Sequence, residues 1–111
     1  MIKTDCYLAV LKKYKEKYPD AHFEIITRTA NHPLSPSWQL LEKIKEENLG
    51  WDDYTKIFLH EMKTKDITLE LHRLKNIARE KDVYLVCYEK DANFCHRSLV
   101  KQMIDELDES R

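Results

Sequence analysis

A chain of 111 residues can bury one modest core and not two, so a single domain spanning residues 1–111 is expected. Its 19 basic and 20 acidic residues nearly cancel, which excludes the strong uniform field of a protein built to grip nucleic acid or an anionic membrane. No apolar run approaches the ~20 residues of a membrane span, the start has no signal-peptide core, and three cysteines suit free thiols in a reducing compartment, so the cytoplasm is the expected location.

Thr4 or Asp5 is placed to cap a first helix that runs to about Tyr18, with Tyr7, Val10, Leu11, Tyr14 and Tyr18 on one face. A short edge strand over residues 2–7 is the alternative. Lys12, Lys13, Lys15 and Lys17 surround Glu16 on what reads as a solvated face, and Pro19-Asp20 ends the helix. Ile25, Ile26 and Thr27 predict a strand over residues 22–29, followed by a turn-rich loop at residues 31–34.

Ser35-Pro36 reads as a capping hydroxyl followed by a proline at the first helical position. The helix it opens points Leu40, Leu41 and Ile44 inward and ends at Gly50. Asp52 starts a third helix with Tyr54, Ile57, Phe58 and Met62. Asp66 or Thr68 starts a fourth with Leu71, Leu74, Ile77 and Ala78, ending before Asp82. Residues 83–88 form the second confident strand, and residues 94–108 a last helix burying Leu99, Val100, Met103, Ile104 and Leu107. Strands apolar on both faces and separated by helices indicate the α/β class: a small single domain with a short, mainly parallel sheet flanked by helices.

In such sheets ligands collect beyond the carboxyl ends of the strands, where helix amino termini also point. The first confident strand delivers Arg28 to that rim, with His32 in the loop beyond; the second delivers Cys87 and Glu89. Asp91 or Asn93 is placed to cap the last helix, with Cys95, His96 and Arg97 in its first turn. The partial positive charge there favours a thiolate, so Cys95 is the nucleophile candidate, His96 the proton carrier and Glu89 a general base or an ion-pair partner of Arg97. Arg97 opposes that dipole and needs an anion, from Glu89 or from a ligand. Packing under the helix is the alternative role for Cys95, and core packing for Cys87. Seven residues between Cys87 and Cys95, with Cys-His adjacent, is not a zinc-finger spacing, so no metal is expected. His22, His60 and His72 read as surface or half-buried side chains, and Trp38 as a residue able to line a pocket.

The segment Val83-Tyr-Leu-Val-Cys-Tyr-Glu-Lys-Asp-Ala-Asn-Phe-Cys-His-Arg-Ser98 resembles the signature of the family called domain of unknown function 488: an apolar strand, Cys-x-Glu, a spacer, then Cys-His-Arg. Arg28, the Leu34-Ser35-Pro36-Ser37 helix start and Trp51-x-x-Tyr54 extend the resemblance over nearly the whole chain. It implies a compact α/β fold and a polar site on Cys87, Glu89, Cys95, His96 and Arg97, but no reaction and no cofactor. Three functions stay open: an enzyme acting on a small anionic, nucleotide-like substrate; a non-catalytic nucleotide or nucleic-acid-associated module, for which the net charge gives no support; and a structural or interaction protein. Cys95, His96 and Glu89 are the catalytic candidates, and Arg97, Arg28, Cys87 and His32 the substrate-binding ones.

Overall fold

Val-Tyr-Leu-Val is apolar toward both sides, and a strand of that kind belongs in the middle of a sheet. The computed structural model of the chain describes residues 1–107, with Asn93 described by its backbone alone. The described elements run β1 (Ile2–Lys3), α1 (Leu11–Lys17), β2 (His22–Ile25), α2 (Trp38–Glu46), α3 (Trp51–Lys65), α4 (Thr68–Ala78), β3 (Val83–Val86) and α5 (His96–Asp105), with single 3-10 turns at Leu8–Val10, Arg28–Ala30 and Ala92–Phe94. β3 lies between β1 and β2 and pairs in parallel with both: Ile2 beside Val83, and His22 to Ile25 beside Val83 to Val86. All four β3 residues are buried.

The sheet is covered on both faces, unequally. Val83 and Leu85 enter the main core with Ile26, Phe58, Leu74, Val100 and Ile104. Tyr84 and Val86 turn the other way, onto Cys6 and the partly buried Val10, Leu11, Tyr14 and Phe23. The Tyr84 ring stacks on Phe23 at 5.1 Å and meets Tyr14 edge-on at 5.5 Å. No described helix is long and apolar enough to cross a membrane.

Several boundaries differ from expectation, each for a physical reason. The N-terminus forms the edge strand rather than a helix capped by Thr4 or Asp5: Ile2 is buried, Tyr7 bridges Cys87 in parallel, and the Leu8 N–H donates to the Cys87 carbonyl at 3.0 Å. Asp5 instead accepts the Tyr14 hydroxyl at 3.1 Å. β2 stops at Ile25 because the Thr27 hydroxyl accepts from Ala30 N–H at 3.2 Å and turns the chain. Ser37, not Ser35, caps α2, accepting from Leu40 N–H at 3.0 Å. Asn48, at φ 51°, takes the left-handed position after α2, while Gly50 is the extended N-cap of α3. Cys95 occupies the N-cap of α5, so Asp91 does not; the Asn93 side chain and Asp108 lie outside the described residues.

Candidate functional site

Because β2 and β3 run the same way, the chain leaves both strands at one rim. Ile26 and Thr27 continue from β2 as buried residues, and the buried Ser35 hydroxyl donates to the Thr27 carbonyl at 2.6 Å, pinning the loop to the strand end. From β3 the chain passes through Cys87 and an exposed stretch at Tyr88 to Lys90 before Cys95 opens α5. The rim encloses a cavity of about 290 Å³ whose lining includes Arg28, Trp38, Tyr54, Cys87, Glu89, Cys95 and His96. That volume sits at the lower end of small-molecule sites, roughly 300–1,000 Å³.

The floor is made of sulfur and imidazole. Against the expectation of free thiols throughout, Cys87 and Cys95 meet sulfur to sulfur across Cα atoms 7.9 Å apart, leaving Cys6 as the free, buried thiol. One lies just past the end of β3 and the other at the start of α5, so the loop between them folds back on itself to bring the two sulfurs together. His96 is buried, and its Nε2 lies 2.7 Å from the Ile26 carbonyl, to which it must donate. That bond puts the lone pair on Nδ1, 3.6 Å from Cys95 Sγ. Burial lowers the His96 pKa to about 4, against the opposing pull of the Ile26 carbonyl, so the ring is neutral near pH 7.

One wall is aromatic and carries a cation. The Arg28 guanidinium lies 4.0 Å from the centre of the Trp38 ring, and its buried Nε has no hydrogen-bond partner among the described residues. Trp38, Tyr88 and Phe94 are exposed at the rim. Tyr54 stacks between Trp51 and Phe58, and burial followed by the charges of Glu89 and Glu61 pushes its phenol up, so it stays a hydrogen-bond donor. Glu89 is exposed at the mouth, with Oε2 3.5 Å from Cys87 Sγ.

Two of the expected residues are not on this cavity. Arg97 is fully buried and turns away from it, donating from Nη1 to the Cys6 carbonyl at 2.5 Å and from Nη2 to the Glu89 and Lys90 carbonyls at 2.5 and 3.4 Å. The anion it needs is thus replaced by carbonyl dipoles, and it holds Glu89 by the backbone rather than the carboxylate. His32 joins a separate cluster: its Nε2 lies 2.5 Å from Glu24 Oε2, and its Nδ1 accepts from Leu34 N–H at 3.0 Å. His22, read as a surface or half-buried side chain, also meets Glu24, at 2.6 Å. Tyr54 and Phe94 line the cavity unanticipated, because helical spacing grouped Tyr54 with Ile57, Phe58 and Met62, and Phe94 marked only the start of the last helix.

A three-stranded parallel sheet with helices on both faces, and a cavity where the strands end at a helix start, defines a small α/β protein with its candidate site at the carboxyl edge of the sheet. Residues 11–108 match the family DUF488-N3a, described as the active DUF488-N3 subclade, and the chain belongs to that family. No curated protein and no solved structure matches the chain.

Proposed function

We propose that the protein is an enzyme that takes a small, planar, anionic substrate of the nucleotide class into the rim cavity and presents it to Cys95, His96 and Glu89. The observation that carries this reading is the Arg28 guanidinium, held over the Trp38 ring with an unpaired buried Nε, on the same cavity as those three groups. An unpaired buried donor is costly, at ~1–3 kcal/mol, and an anion accepting from it removes the cost. The aromatic rim suits a flat ring, since base–aromatic stacking contributes ~1–3 kcal/mol per base. Glu89, exposed and close to the floor, is placed to accept a proton. The family's description as an active subclade supports catalysis over passive binding.

A thermal-shift screen of nucleosides, nucleotides and inorganic phosphate tests the ligand class. At 100 times Kd a ligand stabilises by ~2.7 kcal/mol, well within detection. The expected result is stabilisation by a nucleotide that is lost in Arg28→Ala and weakened in Trp38→Ala, with turnover lost in Glu89→Gln while binding stays. No stabilisation by any nucleotide ends the substrate reading, and stabilisation without turnover replaces the enzyme with a binding module.

A further inference from the structure

The cavity floor brings together three side-chain atoms able to bind a metal ion. Cys87 Sγ, Cys95 Sγ and a His96 ring nitrogen lie within 4.8 Å of one another, all three residues buried. We infer that in the reduced protein this floor is a metal centre, in which the Cys87 and Cys95 thiolates and His96 Nδ1 bind one borderline-soft divalent ion of the zinc type and leave its fourth position open to the cavity. The inference deepens the active-site reading and rests on it only for what the ion does there, not for its being bound.

Three features carry it. The first is the state of His96: with Nε2–H committed to the Ile26 carbonyl, Nδ1 presents its lone pair toward the sulfurs. Metal-bound histidines nearly always donate their other N–H in this way. The second is spacing. Zinc bonds of about 2.3 Å to sulfur and 2.0–2.1 Å to nitrogen, at a tetrahedral angle, separate the two donors by about 3.6 Å, and Cys95 Sγ stands 3.6 Å from His96 Nδ1. The third is the backbone. A relaxed disulfide holds its Cα atoms about 4.4–6.8 Å apart, whereas Cys87 and Cys95 stand 7.9 Å apart, a backbone span that lets the two sulfurs, in contact here, part around an ion once reduced.

Thiolate and imidazole donors select zinc-like ions over magnesium or calcium. Three protein donors with an open position is the pattern of catalytic rather than structural zinc sites. Such an ion supplies Lewis acidity next to the substrate, and Glu89 borders the opening. The second convergence of donors, Glu24, His32 and Glu70, differs: the Arg73 guanidinium already bridges its two carboxylates.

The test is metal analysis of the protein purified without chelator, then anaerobic titration of the stripped, reduced protein with Co²⁺. The expected result is about one ion per chain, with sulfur-to-cobalt charge-transfer absorption and tetrahedral ligand-field bands. Cys87→Ser and Cys95→Ser should each weaken binding at least about tenfold, and Cys6→Ser should not. Independently of variant folding, bound metal should shield Cys87 and Cys95 of the wild type from alkylation. Absence of the charge-transfer band overturns the inference, as does undiminished Co²⁺ binding in the Cys87→Ser/Cys95→Ser double variant, or reduced protein that takes up no metal. Arg28→Ala separates the two proposals: it should lose the nucleotide shift and keep Co²⁺. Metal without nucleotide binding sinks the substrate reading alone, and nucleotide without metal binding sinks this one.

Discussion

At Arg97 a side chain that sequence reasoning assigns to a ligand is spent on the fold. Its guanidinium ties the Cys6 carbonyl beside β1 to the Glu89 and Lys90 carbonyls after β3, closing the loop that carries the site. Burial lowers its pKa, partly offset by Glu89 and other anions nearby, yet an arginine stays charged. Removing it leaves buried carbonyls without donors and an empty space, so Arg97→Ala should cost about 3 kcal/mol or more in urea unfolding. Arg97→Lys should recover only part, because a single ammonium cannot reach both groups of carbonyls. Arg28→Ala, by contrast, should not destabilise the protein, because losing the unpaired Nε offsets the lost contact with Trp38, while it abolishes ligand binding. Equal stability losses in the two variants would contradict this division of roles.

At the scale of elements, the start of α2 sets one wall of the cavity. Ser37 caps the helix through Leu40 N–H, its own N–H donates to Glu61 of α3 at 3.2 Å, and its hydroxyl is also bonded to Glu61. Trp38, the first residue of α2, is therefore fixed from two elements. Ser37→Ala should cost about 1 kcal/mol in thermal unfolding and reduce ligand affinity by letting Trp38 move. Unchanged affinity beside lowered stability would show that the wall does not depend on the cap. Local sequence does not separate the two candidate caps, because Ser35 and Ser37 both flank Pro36 and the outcome depends on where the carbonyls of Ile26 and Thr27 lie: they accept the Ser35 hydroxyl and leave Ser37 for the helix. The first helix starts later than its pattern predicts for a similar reason. The pattern of Tyr7, Val10, Leu11, Tyr14 and Tyr18 is helical, but Ile2 and Tyr7 gain more by pairing beside β3.

Across the whole molecule, one ionic cluster joins β2, the following loop and α4. Burial pushes the Glu24 carboxyl up, but hydrogen bonds from His32, His22 and Arg73 outweigh it and bring the pKa to about 2, with Glu70 sharing Arg73. A carboxyl lowered on folding stabilises the native state above its unfolded value, here 4.5, and that stabilisation is lost as pH falls from about 4.5 to about 2. Glu24→Gln should therefore unfold more easily at pH 7, by on the order of 1–3 kcal/mol. The gap to the wild type should close as the pH approaches 2. A gap that stays constant across that range would remove Glu24 as the source.

The class of fold was readable from local pattern alone. A strand apolar on both faces, helices with one apolar face and charges that cancel are properties of neighbouring residues, and burial of apolar surface turns them into a parallel sheet covered on two sides. Cys95-His96 at a helix start was equally visible. Tertiary structure decided what those residues meet: Arg97 turned to the distant Cys6 carbonyl and to carbonyls of the loop before it, Arg28 laid on Trp38, and Cys87 carried to Cys95 and His96 at the floor of one cavity. Periodicity records which face of an element is apolar; which side chains converge depends on strand direction and packing between segments far apart in the chain.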